Sequence, residues 1–250
     1  MRGLEGERVT SRTTIRTADG LALMGRWWEP VRPRGSAVVL AHGLTGSKDD
    51  PRLVAAARAL SESGHLVLAY DGRGHQGSEG ICTLGDLERF DVAAAVGLAR
   101  VRADRVVTVG ASMGAIAVLR YAVSDPNLAG VVSVSSPAWW HGPRNARALL
   151  ATAMTRTMIG RAIADRRLHV HLAQAWNDPE PPAALVARIA SPLAIVHGRR
   201  DHFVAPSEAI ELAAAAPDAR LLLVPEMGHS FDPAAVPVIT EAVQWTLASA

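Results

Sequence analysis

Cysteine is nearly absent: Cys82 is the one thiol in 250 residues, so no internal disulfide can form, and it reads as an inert loop or core side chain. No run reaches the ~18 consecutive apolar residues of a membrane span. The polar stretch 1–14 lacks the apolar core of a signal peptide, which makes the cytoplasm the expected compartment. Charge of one sign is also scarce. Lys and Arg number 26 against 24 Asp and Glu, a formal net charge of +2, too small to mark a nucleic-acid-binding face. There is no internal repeat and no low-complexity tract. What remains is a chain with 49% hydrophobic and 20% charged residues. That is the balance of a folded domain, in a length that suits one large α/β domain or two small ones.

The order of short apolar runs and helix-forming stretches sets the fold class. Residues 8–17 and 21–28 read as two strands joined by the turn Ala18-Asp19-Gly20. The runs 37–41, 65–70, 105–109, 130–134, 193–196 and 220–224 read as strands buried on both faces. Helical stretches fall at 51–63, 84–100, 112–123, 206–216 and 233–247, with Asp232-Pro233 as cap and first residue of the last. This alternation predicts a mostly parallel sheet covered on both faces, opening with an antiparallel hairpin. The rhythm stops between 137 and 190, where two helical pieces (144–161 and 182–189) predict an insert over the carboxyl edge of the sheet.

Gly110-Ala111-Ser112-Met113-Gly114 interrupts a β-branched run and leads into a helix. A serine there sits on a strained strand-to-helix turn with its hydroxyl presented outward. Gly110 and Gly114 have no Cβ, so the turn can close. A serine hydroxyl attacks only when a base takes its proton and a third group holds the base. His229 follows the last strand and Asp201 follows the one before, both on loops where open α/β sheets bind ligands. The order Ser112, Asp201, His229 is the one in which strand–turn–helix nucleophiles find their partners. Asp71, Asp165 and Asp178 are weaker rivals for the acid, and His197 and His202 poorer bases. An oxyanion formed at such a serine needs two N–H donors. Met113 would supply one and Leu44, in His42-Gly43-Leu44-Thr45-Gly46, the other, although a plain Gly-rich turn fits that loop as well.

These segments resemble the α/β-hydrolases over nearly the whole chain outside 137–190. His42–Lys48, Asp71–Ser78, Gly110–Gly114, His197–Asp201 and Gly228-His229 follow the family pattern in order. The chain is similar to small serine esterases of the monoacylglycerol lipase, cinnamoyl esterase and serine aminopeptidase-like group. The resemblance implies Ser112, Asp201 and His229 as triad and the Leu44 and Met113 amides as oxyanion hole. Gln76 departs from the glycine that many relatives carry in a structural loop. A serine at position 112 also argues against the epoxide hydrolases and haloalkane dehalogenases, which use aspartate there.

On this reading 1–136 and 191–250 form the α/β-hydrolase core and 137–190 a helical cap, with Trp139, Trp140, Met154 and Met158 as pocket candidates. The cap carries seven arginines against three carboxylates, which suits a solvated helical face or, less readily, an anionic substrate. Asp71–Gly80 lacks the ending of a phosphate loop, and His169 with His171 lacks further metal ligands. No metal or cofactor is expected. The predicted activity is hydrolysis of a small-molecule carboxylic ester, thioester or lactone by a monomer or homodimer. Acyl transfer, C–C hydrolysis or perhydrolysis on the same triad, and a non-catalytic ligand-binding role, stay open.

Overall fold

The computed structural model describes residues 10–140, 146–216 and 218–250. Arg8 and Val9 of the expected first strand, and Arg144 and Asn145 of the expected insert helix, lie outside them. Eight strands form one sheet in the order β1-β2-β4-β3-β5-β6-β7-β8. β1 (Thr10–Arg16) and β2 (Ala22–Trp28) make the antiparallel hairpin, and β2 also runs antiparallel to β4 (Leu66–Tyr70). From there β3 (Ser36–Ala41), β5 (Arg105–Ala111), β6 (Gly130–Val134), β7 (Leu193–Gly198) and β8 (Arg220–Val224) are parallel.

The all-apolar strands are explained by burial on both sides. Along β3, Ala37, Val39 and Ala41 enter one core and Val38 and Leu40 the other, the period of two that a pleated strand imposes. The first core is closed by α2 (Glu88–Arg100), α3 (Met113–Ala122), α6 (Pro182–Val186) and α7 (Pro206–Ala215). The second is closed by α1 (Pro51–Glu62) and α8 (Val236–Ser249). After β3 the chain steps outward to β4 and then back across to β5. Their carboxyl ends therefore flank a topological switch point, where such sheets bind ligands.

Three expected helices have other boundaries for local reasons, and the piece expected over 182–189 stops at Val186. The helix expected from 84 begins at Glu88, because Leu84 and Gly85 have positive φ and the Glu88 carboxylate accepts from the Thr83 and Gly85 amides. The stretch 144–161 is split into α4 (Ala146–Arg156) and α5 (Met158–Ile163). Thr157 makes the break: its hydroxyl donates to Ala153 O and accepts from Gly160 N, capping α5. A π-helical turn, Ala164–Leu168, follows. The last helix is preceded by a 3-10 turn at Pro233–Ala235, capped by Asp232. No helix among the described residues is long and apolar enough to cross a membrane.

Candidate active site

Ser112 stands between β5 and α3 with φ +55° and ψ −115°, a backbone conformation that costs a non-glycine residue on the order of 1–3 kcal/mol. Its own N–H donates to Val134 O of β6 (2.9 Å), and its neighbours leave no room to relax. A Cβ on Gly110 would lie 2.2 Å from Gly114 O, and one on Gly114 would lie 2.3 Å from Ala41 O. The two glycines are thus required by close backbone approach between β5, α3 and β3. Neither adopts positive φ.

Asp201 and His229 meet at the ends of β7 and β8. The His229 Nδ1 lies 2.7 Å from Asp201 Oδ2, and the other carboxylate oxygen accepts from the Phe203 and Val204 amides at 2.8 and 2.9 Å. Burial pushes the Asp201 carboxyl up, but His229 and those two amides outweigh it and hold it below the usual range. Gly198 makes the meeting possible, since a Cβ there would lie 2.2 Å from Met227 O. Arg200 N–H then donates to Met227 O (3.0 Å), tying the two loops together.

The rival residues are occupied elsewhere. Asp71 accepts from the Lys48 amide and Nζ, both at 2.8 Å. Asp165 pairs with His171 at 2.6 Å, and Asp178 is exposed. His197 is buried behind Asp201 at 3.6 Å, its basicity lowered chiefly by burial, and His202 is exposed.

Ser112 and His229 line one cavity of about 470 Å3, together with His42, Gly43, Leu44, Met154, Phe203 and Phe231 among others. The loop carrying Leu44 is braced by two buried imidazoles. His42 Nε2 accepts from Gly72 N–H (2.9 Å), which leaves its Nδ1–H to donate to Gly43 O (2.7 Å). Gly43 O also accepts from Gly46 N–H (2.9 Å). Carbonyl and N–H point opposite ways across a trans peptide, so the Leu44 N–H is turned away from His42. Burial and the neighbouring His75 press the His42 pKa down to about 3. The His75 ring, edge-on to His42 at 4.7 Å, reaches Leu44 O with its Nε2 at 2.6 Å. Met113 is the first residue of α3, so its N–H precedes the intrahelical ladder.

The structure therefore brings Ser112, Asp201, His229 and Leu44 to one place, with Met113 beside them. The apolar wall expected from the sequence is different. Of the four candidates only Met154 lines this cavity. Met158 is 81% exposed, because the Thr157 cap redirects the chain after α4, and Trp139 is 42% exposed. Trp140 packs edge-on against Trp176 (5.1 Å) and donates from Nε1 to Pro179 O. The aromatic wall comes instead from Phe203, 5.0 Å from the His229 ring, and Phe231. Neither carries a motif, and only their places beside Asp201 and His229 would have pointed to them. Among the described residues no group of three or more His, Cys, Asp or Glu is placed to hold a metal ion.

Known proteins offer likenesses to this fold. No curated protein matches the sequence. Among solved structures the fold is similar to that of esterase Pf2001 from Pyrococcus furiosus, at 22% identity and TM-score 0.70 over 97% of this chain and 90% of that one. It is similar also to Est1E of Butyrivibrio proteoclasticus, solved with ferulic acid bound, at 20% identity and TM-score 0.69 over 95% and 98% of the two chains. The hydrolase GrgF from a Penicillium species superposes with TM-score 0.74 at 16% identity, over 96% and 99% of the two chains. Residues 36–176, more than half of the sequence, match the family described as alpha/beta hydrolase fold. The chain belongs to the α/β-hydrolase family.

Proposed function

We propose that this hydrolase cleaves carboxylic esters through an acyl-serine intermediate on Ser112. The observation that carries the reading is the shared cavity. A strained Ser112, a His229 held by Asp201 at 2.7 Å and the Leu44 loop all border it. The esterases among the solved structures of the same fold support the reaction class.

With Nδ1–H donated to Asp201, the His229 Nε2 is the free base. It takes the Ser112 proton as Oγ attacks the ester carbonyl. The charge that develops on the carbonyl oxygen is met by the Leu44 and Met113 N–H groups, fixed before substrate arrives. His229 then passes the proton to the leaving alcohol. A water molecule, deprotonated by the same nitrogen, attacks the acyl-serine and releases the acid.

The segment 137–190 serves as a cap over this site, with 1–136 and 191–250 as the core. Among the described residues, Met154 of α4 is its contact with the cavity, and Glu208 of α7 anchors its start by accepting from Ala138 N–H at 2.8 Å. The expected behaviour is turnover of p-nitrophenyl acetate and butyrate that falls about 10⁴–10⁶-fold in Ser112→Ala, with unchanged circular dichroism. Turnover retained in that variant overturns the reading.

A further inference from the structure

Beside the Ser112 cavity lies another of about 400 Å3 that the acyl-transfer steps leave unused. Cys82 and Leu84 contribute from the loop before α2, Thr155 and Arg156 from the end of α4, and Gln174 and Trp176 from the chain after the π-helical turn. Two of these walls are joined through their backbones. Cys82 N–H donates to His171 O (2.8 Å), and Ala173 N–H donates to Cys82 O (2.9 Å). Glu88 fixes the first wall again, accepting from the Thr83 amide, the Thr83 hydroxyl and the Gly85 amide at 2.7–2.8 Å.

The partition between the two cavities is made of soft side chains. Leu44 and Met154 border the Ser112 cavity, Cys82, Leu84 and Leu172 border the other, and all five pack with Met113 in one apolar cluster. Met113 Sδ lies 3.5 Å from Cys82 Sγ. Methionine has three rotatable bonds and yields without backbone movement, which makes Met113 and Met154 the side chains whose rotation a link between the two spaces would require.

Among the described residues the lining of the second cavity contains no carboxylate, and its one charge is Arg156, whose guanidinium lies 5.6 Å from the Trp176 ring centroid. Stacking on an aromatic face holds an arginine in place while its N–H edges stay available to a planar anion. Asp165 is not among the lining residues, and its carboxylate is paired with His171. We propose that this chamber receives the distal, carboxylate-bearing end of a substrate whose ester lies at Ser112, Arg156 selecting half-esters of dicarboxylic acids over neutral esters. The proposal rests on the reading of Ser112 as nucleophile.

The test compares mono-p-nitrophenyl glutarate, adipate and suberate with their methyl-capped neutral counterparts at low ionic strength. Each rate is taken relative to p-nitrophenyl acetate, which is too short to reach the chamber. At one chain length or more, kcat/KM favours the carboxylate by about fivefold, and Arg156→Gln removes the preference. Leu84→Trp, which fills the chamber, lowers both long substrates. No preference at any length, or a preference that survives Arg156→Gln, overturns the proposal. Calorimetry on the Ser112→Ala protein separates this from failure of the nucleophile reading. Monomethyl suberate binds that protein and binds about fivefold more weakly once Arg156→Gln is added, whatever the turnover data show. Equal binding to the two proteins overturns the chamber while leaving the role of Ser112 to its own test.

Discussion

The loops at the carboxyl edge of the sheet and the connection between β6 and β7 border the same cavity, yet they are built in different ways. In the first, backbone meets backbone. Gly110, Gly114 and Gly198 each sit where a Cβ would lie 2.2–2.3 Å from a carbonyl oxygen, the His42 and His75 side chains bind main-chain groups of neighbouring loops, and Asp201 binds those of its own. In the second, the short helices are held by side-chain tethers, namely Glu208 at its start, the Thr157 cap and the Trp140–Trp176 contact, and the stretch 169–173 that follows them is bonded through its backbone to the loop 74–82. Leu150, Met158 and Ile159 there are more than 70% exposed. A site that has to hold reacting atoms tolerates little change along the sheet edge, while the connection can vary and set which substrate fits.

Substitutions break or sharpen that contrast. Asp201→Asn keeps the hydrogen-bonding shape but favours the wrong His229 tautomer, and turnover of p-nitrophenyl esters is expected to fall up to about 10⁴-fold. A near-normal rate would show that another acid holds the imidazole. Gly114→Ala forces β3 and α3 apart. A loss of about 3 kcal/mol or more in urea unfolding is expected, the range of a buried backbone clash.

His42 links the sheet edge to pH. Its folded pKa of about 3 lies below the ordinary value of 6.5, so unfolding takes up a proton between those values. Its contribution is complete above about pH 6.5 and is lost as pH falls toward 3, with a slope of up to about 1.4 kcal/mol per pH unit. Denaturant titrations from pH 7 to 4 should show this slope in the native protein and a shallower one in His42→Gln. In the connection the effects are smaller. Met154→Ala should shift the preference between short and long acyl chains a few-fold. Met158→Ala should leave activity and selectivity alone and change stability by less than about 0.5 kcal/mol, as for other exposed positions.

The same contrast explains what was legible in the sequence. Strands with both faces buried are continuous apolar runs, and a strained serine between close-packed chains requires small neighbours, so β5 and the place of Ser112 at its end were readable. Gly198 stood in the quoted His197–Asp201 motif, but its task shows only once β7 and the loop after β8 are placed side by side. The cavity wall was misread because an apolar side chain near a site carries no sign of which way it faces. Thr157, an unremarkable residue in a helical stretch, turned Met158 to solvent by capping α5. The second cavity is spread over residues 82–84, 152–156 and 172–176, which have no common motif and meet only through tertiary folding.

The central claim is that Ser112 is a nucleophile activated by His229. Intact-protein and peptide mass spectrometry after reaction with a fluorophosphonate tests it most directly. A single adduct on the peptide containing Ser112, slowed in Asp201→Asn and absent in Ser112→Ala, is the predicted result; labelling that persists in Ser112→Ala would contradict it.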